Sequence, residues 1–62
     1  MLTEREKEIM ELVIKGLTSK EISKELNIAE QTVKAHKENI YYKLDVHNKV
    51  QAVIKYLQLK NQ

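Results

Sequence analysis

The sequence predicts an all-α, bundle-like domain of four helices. Apolar residues recur at three- and four-residue intervals along the chain, which is the spacing of one face of an α-helix. The 62 residues include one glycine and no proline, so few positions interrupt a helix. Polar residues able to begin or end helices divide the chain into four segments. We therefore expect one domain over residues 1–62.

Two capping boxes mark the first two helix starts. Thr3 with Glu6, and Thr18 with Glu21, have the spacing at which each side chain bonds the backbone amide of the other. Gly16 follows the first helix where a left-handed residue is wanted. The predicted spans are about 4–15 and 19–26.

The next two helices follow short breaks. Asn27 tolerates the left-handed conformation and ends the second helix, and a break of three residues, Asn27-Ile28-Ala29, precedes the third. The polar run from Asp45 to Asn48, interrupted by Val46, ends the third, and Asn48 can cap the fourth. The predicted spans are about 30–44 and 48–59. Helices two and three form a helix-turn-helix unit, whose second helix can enter the major groove of DNA.

Composition excludes several classes of protein. The chain has no cysteine, and His36 and His47 are too few and too separated for a metal centre of their own. Its longest apolar run is far shorter than the roughly 18 residues of a membrane-spanning helix, and charges begin at Glu4, unlike a signal peptide. No carboxylate pair, nucleophile–base set or phosphate loop is evident. We expect a soluble, cytoplasmic, non-enzymatic chain without cofactor, metal or membrane contact.

Charge is unevenly distributed along the chain. Residues 1–31 carry seven acidic and five basic groups, net −2, whereas residues 32–62 carry two acidic and six basic groups, net +4. The positive half begins inside the third helix. This segregation indicates a surface for a polyanion, although a solvated lysine-rich surface would produce the same count.

The third helix has an apolar inner face and a polar outer face. At about 100° per residue, Val33, Ile40 and Leu44 fall together and are expected to be buried. The outer face can bond base edges: glutamine suits adenine, lysine suits guanine, and alanine can contact a thymine methyl. A glutamate there could accept from cytosine or exclude wrong sequences; a solvated helix face is the alternative. The predicted base-facing residues are Gln31, Lys34, Ala35 and Glu38.

Residues at the borders of this face are predicted to contact the DNA backbone, because side chains there reach the walls of the groove rather than its floor. The amino end of the second helix could add phosphate contacts through its dipole, or could be an ordinary cap beside a solvated lysine. His36 lies at the apolar edge and is expected to be packed. The predicted backbone contacts are Thr18, Ser19, Lys20, Thr32, Lys37, Tyr41, Tyr42 and Lys43.

The fourth helix has apolar residues on two faces. Ala52, Tyr56 and Leu59 cluster roughly opposite the other apolar residues, and only one face can cover so small a core. We assign Ala52 and Tyr56 to the core. The other face would be an exposed apolar patch, which usually marks an interaction surface, although a frayed or fully wrapped helix is the alternative. The predicted two-fold dimer contact consists of Val50, Val53, Ile54 and Leu57.

These features together resemble a known family. The sequence is similar to the LuxR-type DNA-binding domain in Leu2-Thr3 through Glu6, Gly16, Lys20-Glu21-Ile22, Thr32-Val33-Lys34, His36, Ile40, Lys43-Leu44-x-Val46 and Ala52-Val53. The resemblance implies four helices, with the third in the major groove and the fourth in a homodimer contact on double-stranded DNA. By position it implies base-facing roles for Lys34 and Ala35, with Thr32, Lys37 and Lys43 near the backbone.

The family occurs as small stand-alone proteins and as the output domain of bacterial response regulators and quorum-sensing regulators. The resemblance therefore leaves open a receiver or ligand-sensing domain outside these 62 residues. The sequence departs from the family pattern at three positions. Ala29 stands where a capping serine is usual, Asp45 where glycine is common, and Lys49 where arginine is common.

Two other hypotheses fit parts of the sequence. Region 4 of a sigma factor shares the L-T-x-R-E opening and a helix-turn-helix, but would not need the fourth helix. A helical protein-interaction module without DNA affinity would use the fourth helix as its functional surface, and its lysines would serve solvation only.

Overall fold

The computed structural model describes residues 1–61 and contains four α-helices: α1 (Glu4–Ile14), α2 (Ser19–Leu26), α3 (Glu30–Leu44) and α4 (Lys49–Lys60). These residues include no strand, so the predicted all-α fold is confirmed. Three bounds differ by one residue from the prediction, and one of them is the end of α4, which is Lys60 rather than Leu59. Lys15 is the C-cap of α1 rather than its last residue, and Asn48 is the N-cap of α4 rather than its first. None of these helices is both long and apolar enough to cross a bilayer.

Side-chain caps begin three of the four helices. The amide of Glu6 donates to Thr3 Oγ1 at 3.1 Å, and the amide of Thr3 donates to Glu6 Oε1 at 2.8 Å. Thr18 and Glu21 form the same pair of bonds, so both predicted capping boxes are present. Asn48 caps α4 with a single bond from the Gln51 amide. Ala29 begins α3 without a side-chain bond, so the first amides of α3 depend on other groups.

The first three helices end in the same way. Each helix is followed within two residues by a residue with a positive φ angle: Gly16 (93°), Asn27 (55°) and Asp45 (56°). In each case the next residue donates its amide to a carbonyl five positions back, which is the bond of a Schellman motif. Asp45 takes this position without a glycine, because aspartate tolerates the left-handed region. The residues after the left-handed position are all apolar and pack against the core: Leu17, Ile28 and Val46.

The core lies between α1 and α3, each of which contacts the other three helices. The buried apolar residues are Ile9, Met10, Val13, Ile22, Val33, Ile40, Leu44, Ala52 and Tyr56. The predicted inner face of α3 and the predicted core face of α4 are therefore both buried. Leu59, which the sequence pattern grouped with that face, is instead exposed near the end of α4. Burial of one side of α3 fixes its rotation and decides which side chains it shows to solvent.

Candidate nucleic-acid interface

The outer face of α3 is exposed along most of its length. Gln31, Lys34, Ala35 and Glu38 are all solvent-exposed, and they lie on the side of the helix opposite Val33, Ile40 and Leu44. The structure thus brings the four predicted base-facing residues onto one accessible surface. The domain measures 30 × 20 × 19 Å, and a single α-helix fits the roughly 12 Å width of the major groove.

Lys34 is held within α3 by an ion pair. Its Nζ lies 3.7 Å from Oε2 of Glu30, one turn earlier, and about half of each side chain remains exposed. Exposed pairs of this spacing contribute only about 0.2–0.5 kcal/mol, so the ammonium can exchange this partner for another acceptor at low cost. Sequence reasoning selected Lys34 and did not anticipate Glu30.

Lys37 connects α3 to the start of α2. Its Nζ donates to Ser19 Oγ at 2.8 Å, so two predicted backbone contacts from different helices lie side by side. The pKa of Lys37 is lowered, first by partial burial and then by the positive charges of Lys49 and Lys34. These three ammonium groups therefore form a local concentration of positive charge, which an anion would relieve.

Lys49 is the residue of this cluster that the sequence analysis missed. It is the first residue of α4 and is exposed. The sequence signal available was its place where the family commonly has arginine, but its proximity to α3 depends on how the chain turns after Asp45. The nearby residues Thr18, Lys20 and Thr32 are also exposed. Thr18 already accepts a bond from the amide of Glu21.

The two neighbouring tyrosines of α3 differ in environment. Tyr42 is 87% exposed on the outer side of the helix. Tyr41 is half-buried and packs against the core, and burial raises the pKa of its hydroxyl. Tyr41 therefore has less side chain available to a groove wall than the sequence pattern predicted. His36 is half-buried, as expected for a residue at the apolar edge.

Lys43 has a partner inside the domain. Its Nζ lies 2.9 Å and 3.1 Å from the two carboxylate oxygens of Glu6, whose side chain is only 5% exposed. Burial alone would raise the pKa of Glu6, but hydrogen bonds from Lys43 and Thr3 outweigh it, and the pKa is lowered. The bonds to Glu6 occupy two of the three donors of the Lys43 ammonium, which leaves one for a phosphate. We infer that Lys43 mainly ties α3 to α1.

The apolar patch predicted on α4 is largely present. Val50, Ile54 and Leu57 are 64%, 53% and 38% exposed on one side of the helix. Val53 is half-buried and packs against the core, because it lies three residues before the buried Tyr56 on the same helix surface. The exposed patch therefore consists of three residues, with Val53 at its inner edge.

No three His, Asp or Glu side chains within residues 1–61 come together as a metal-binding group.

Comparison with known proteins identifies the family. The family model for bacterial regulatory proteins of the luxR family matches residues 1–56. This chain belongs to the luxR family. The predicted resemblance is confirmed, and the family is one of helix-turn-helix DNA-binding regulators of transcription rather than a class of enzymes. The match favours the LuxR-type domain over region 4 of a sigma factor.

Individual relatives agree with this assignment. The chain is 47% identical over 58 residues to the nitrate/nitrite response regulator protein NarP of Escherichia coli, covering 94% of the chain and 27% of NarP. It is 44% identical over 59 residues to the spore germination protein GerE of Bacillus subtilis, covering 95% of the chain and 80% of GerE. The chain thus spans about a quarter of NarP and most of GerE.

Solved structures show the same fold. The structure of the transcription factor GerE superimposes with a TM-score of 0.91 at 41% identity, covering 95% of this chain and 88% of that one. The response regulator ChrA, from a heme-sensing two-component system, superimposes with a TM-score of 0.93 at 37% identity, covering 97% of this chain and 30% of ChrA. The four-helix arrangement is therefore shared with a protein of similar length and with part of a longer one.

Proposed function

We propose that this chain binds double-stranded DNA sequence-specifically, in the bacterial cytoplasm, as a transcription regulator or its output domain. The observation that carries the proposal is the exposed outer face of α3, whose rotation is fixed by three buried residues on its other side. Family membership and the similarity to the transcription factor GerE support it.

In the proposed complex, the outer face of α3 lies along the floor of the major groove. Lys34 donates to a base acceptor such as guanine O6 or N7, Gln31 pairs with an adenine edge, and Ala35 contacts a thymine methyl. Glu38 accepts from a cytosine amino group or repels other bases. Each well-formed pair contributes roughly 1–3 kcal/mol of discrimination.

The DNA backbone would be held at the edges of this face. Lys37, Lys49 and Ser19 form a basic and polar corner at the start of α2, where the helix dipole also favours an anion. Burial and like charges lower the pKa of Lys37, and phosphate binding would favour its charged form. The remaining proposed backbone contacts are Thr18, Lys20, Thr32 and Tyr42, with Tyr41 and Lys43 more peripheral.

We further propose that two copies associate through α4. Val50, Ile54 and Leu57 form an apolar patch on an otherwise polar helix surface, and such a patch is stabilised by a second copy. A two-fold pair would place its α3 helices about 34 Å apart, on successive major-groove faces of a partly palindromic site. A receiver or ligand-sensing domain beyond these residues, as the length of NarP suggests, would control this pairing.

The DNA-binding proposal is tested by selecting bound duplexes from a random pool and then titrating the chain into selected and random duplexes at two salt concentrations. Binding that neutralises several phosphates must weaken steeply as salt rises. Lys34→Ala should weaken binding to the selected duplex more than to random DNA, because only the former provides the base acceptor.

Lys55→Ala is the matched control for that variant, since Lys55 is an exposed lysine of α4 and its loss removes the same charge. It should affect both duplexes weakly and equally. Absence of salt-dependent binding by the unmodified chain would contradict the proposal and favour the protein-interaction module.

The dimer proposal is tested by analytical ultracentrifugation of Ile54→Asp. A carboxylate in the patch should abolish self-association and leave helicity unchanged. Leu59→Asp, which makes the same kind of change at a 47% exposed residue on the opposite side of α4, should leave self-association intact. Dimers that persist in Ile54→Asp would show that another surface forms the contact.

A further inference from the structure

The base-facing surface of α3 carries alternating charge. Glu30, Lys34 and Glu38 follow one another at intervals of four residues, so they form a row along one side of the helix. Two carboxylates flank one ammonium in this row, and all three residues are exposed. A surface evolved only to attract phosphate would not place two negative charges beside its central lysine.

Glu30 occupies a position that favours its negative charge. It is the first residue of α3 and the one acidic residue in the first turn, where Ala29 provides no side-chain cap. The unpaired amides and the helix dipole at that end stabilise a carboxylate. Glu30 is therefore held in place at the end of α3 that the helix-turn-helix geometry directs toward base edges.

An acceptor on DNA must displace the Glu30 carboxylate before it can bond the Lys34 ammonium. Lys34 Nζ lies 3.7 Å from Glu30 Oε2, with about half of each side chain exposed. Releasing Lys34 costs little, but the released carboxylate then faces the polyanion. That cost is recovered only where a base offers Lys34 a well-placed acceptor.

Resting on the proposed function, we infer that Glu30 competes with DNA for the Lys34 ammonium and so weakens binding to the cognate site more than binding to random DNA. On random duplex, Lys34 remains paired with Glu30, so the pair is not lost on binding. On the cognate site, Lys34 leaves Glu30 for a base, so the pair is lost and the unpaired carboxylate faces the phosphates. Glu30 acts through Lys34 and through charge, so it is a positioning residue rather than a base contact.

The test compares Glu30→Gln with the unmodified chain on selected and random duplexes at low and high salt. Selected-duplex affinity should rise about two- to five-fold at low salt, the range of an exposed charge pair, and random-duplex affinity should rise less. The ratio of selected-duplex to random-duplex affinity should therefore rise. The effect should shrink at high salt, because exposed charges are screened.

Glu8→Gln is the matched control. Glu8 forms an exposed pair with Arg5 on α1, also at 3.7 Å, away from the outer face of α3. Glu8→Gln removes the same charge and the same kind of ion pair, and it should leave the ratio of selected-duplex to random-duplex affinity unchanged. Circular dichroism of both variants checks that α3 remains helical.

Coupling to Lys34 provides a second measurement. In a Lys34→Ala background, Glu30→Gln should no longer change the affinity ratio, because the pair is already broken. Equal shifts on both duplexes, or a result matching Glu8→Gln, would overturn the role of Glu30 and leave DNA binding intact. Loss of salt-dependent binding by the unmodified chain would instead overturn the proposed function itself.

Discussion

Two lysine–glutamate pairs of α3 have different roles. On the side that faces α1, Lys43 lies 2.9 Å from a Glu6 carboxylate that is almost fully buried. On the outer side, Lys34 lies 3.7 Å from a Glu30 carboxylate that is about half exposed. Distance and burial therefore separate a pair that holds two helices together from a pair that can open for a ligand.

The largest expected effect comes from the apolar residues beneath these pairs. Ile40→Ala should destabilise the domain by roughly 2–5 kcal/mol, because Ile40 is fully buried and its loss leaves a cavity. A 62-residue core rarely supplies more than about 3–5 kcal/mol, so most molecules of this variant should be unfolded at 25 °C. A reduced helical circular dichroism signal without urea, and the loss of a cooperative urea transition, show the change.

Ile54→Ala is the control for that substitution, since Ile54 is 53% exposed. Measured at a concentration where the chain is monomeric, it should change stability by no more than about 0.5 kcal/mol. Similar losses of stability at both positions would show that the inner face of α3 is not the principal support of the fold.

The two lysine pairs should differ next most strongly. Lys43→Ala removes the partner of a buried carboxylate and should lower the free energy of unfolding by about 1–3 kcal/mol. Lys34→Ala should lower it by no more than about 0.5 kcal/mol, because its pair is exposed. Thermal and urea denaturation of the two variants, side by side, measure the difference. Equal stabilities of the two variants would mean that the burial of Glu6 does not make its pair with Lys43 stronger than the pair of Lys34 with Glu30.

The buried pair of Glu6 and Lys43 should also make the stability of the domain depend on acid pH. The pKa of Glu6 is lowered in the folded state, so its contribution to stability is present above its unfolded value near 4.5 and is lost as pH falls through the lower folded value. Glu6→Gln should flatten the fall in stability below pH 4.5 relative to the unmodified chain. Urea midpoints measured from pH 7 to pH 3 provide the comparison.

Sequence reasoning recovered the helices because their signals are local. Capping boxes at Thr3 and Thr18, and left-handed residues at Gly16 and Asn27, lie within a few positions of the helix ends that they determine. The inner face of α3 was recoverable for the same reason, since helical periodicity alone sorts its residues.

The pairings between distant residues were not recoverable. Lys43 and Glu6 are 37 positions apart, and a lysine at the border of an outer face has the same sequence pattern whether it meets solvent, phosphate or a buried carboxylate. The approach of Lys49 to Lys37 likewise depends on the turn between α3 and α4. Periodicity predicts Val53 on the exposed side of α4, because it does not reveal how far the core extends around that helix.

Among the contacts between helices, the smallest expected effect is at Tyr56. Its hydroxyl donates to Glu11 Oε2 at 2.7 Å, and Lys60 Nζ donates to the same oxygen at 2.7 Å. Tyr56→Phe should therefore lower stability by only about 1 kcal/mol, because Glu11 keeps its bond from Lys60. Urea denaturation at pH 7 measures this loss.

The dependence of stability on alkaline pH tests the same hydrogen bond independently. Burial, with the hydrogen bond and charge of Glu11, raises the pKa of Tyr56 to about 12. The unfolded chain loses this proton near pH 10, so the stability from Tyr56 is present below pH 10 and is lost as pH rises toward 12. Tyr56→Phe should make the urea midpoint less dependent on pH over that interval. An unchanged pH dependence in Tyr56→Phe would show that Tyr56 does not hold its proton through Glu11, and that the Lys60–Glu11 pair and apolar contacts hold α4 to α1 without it.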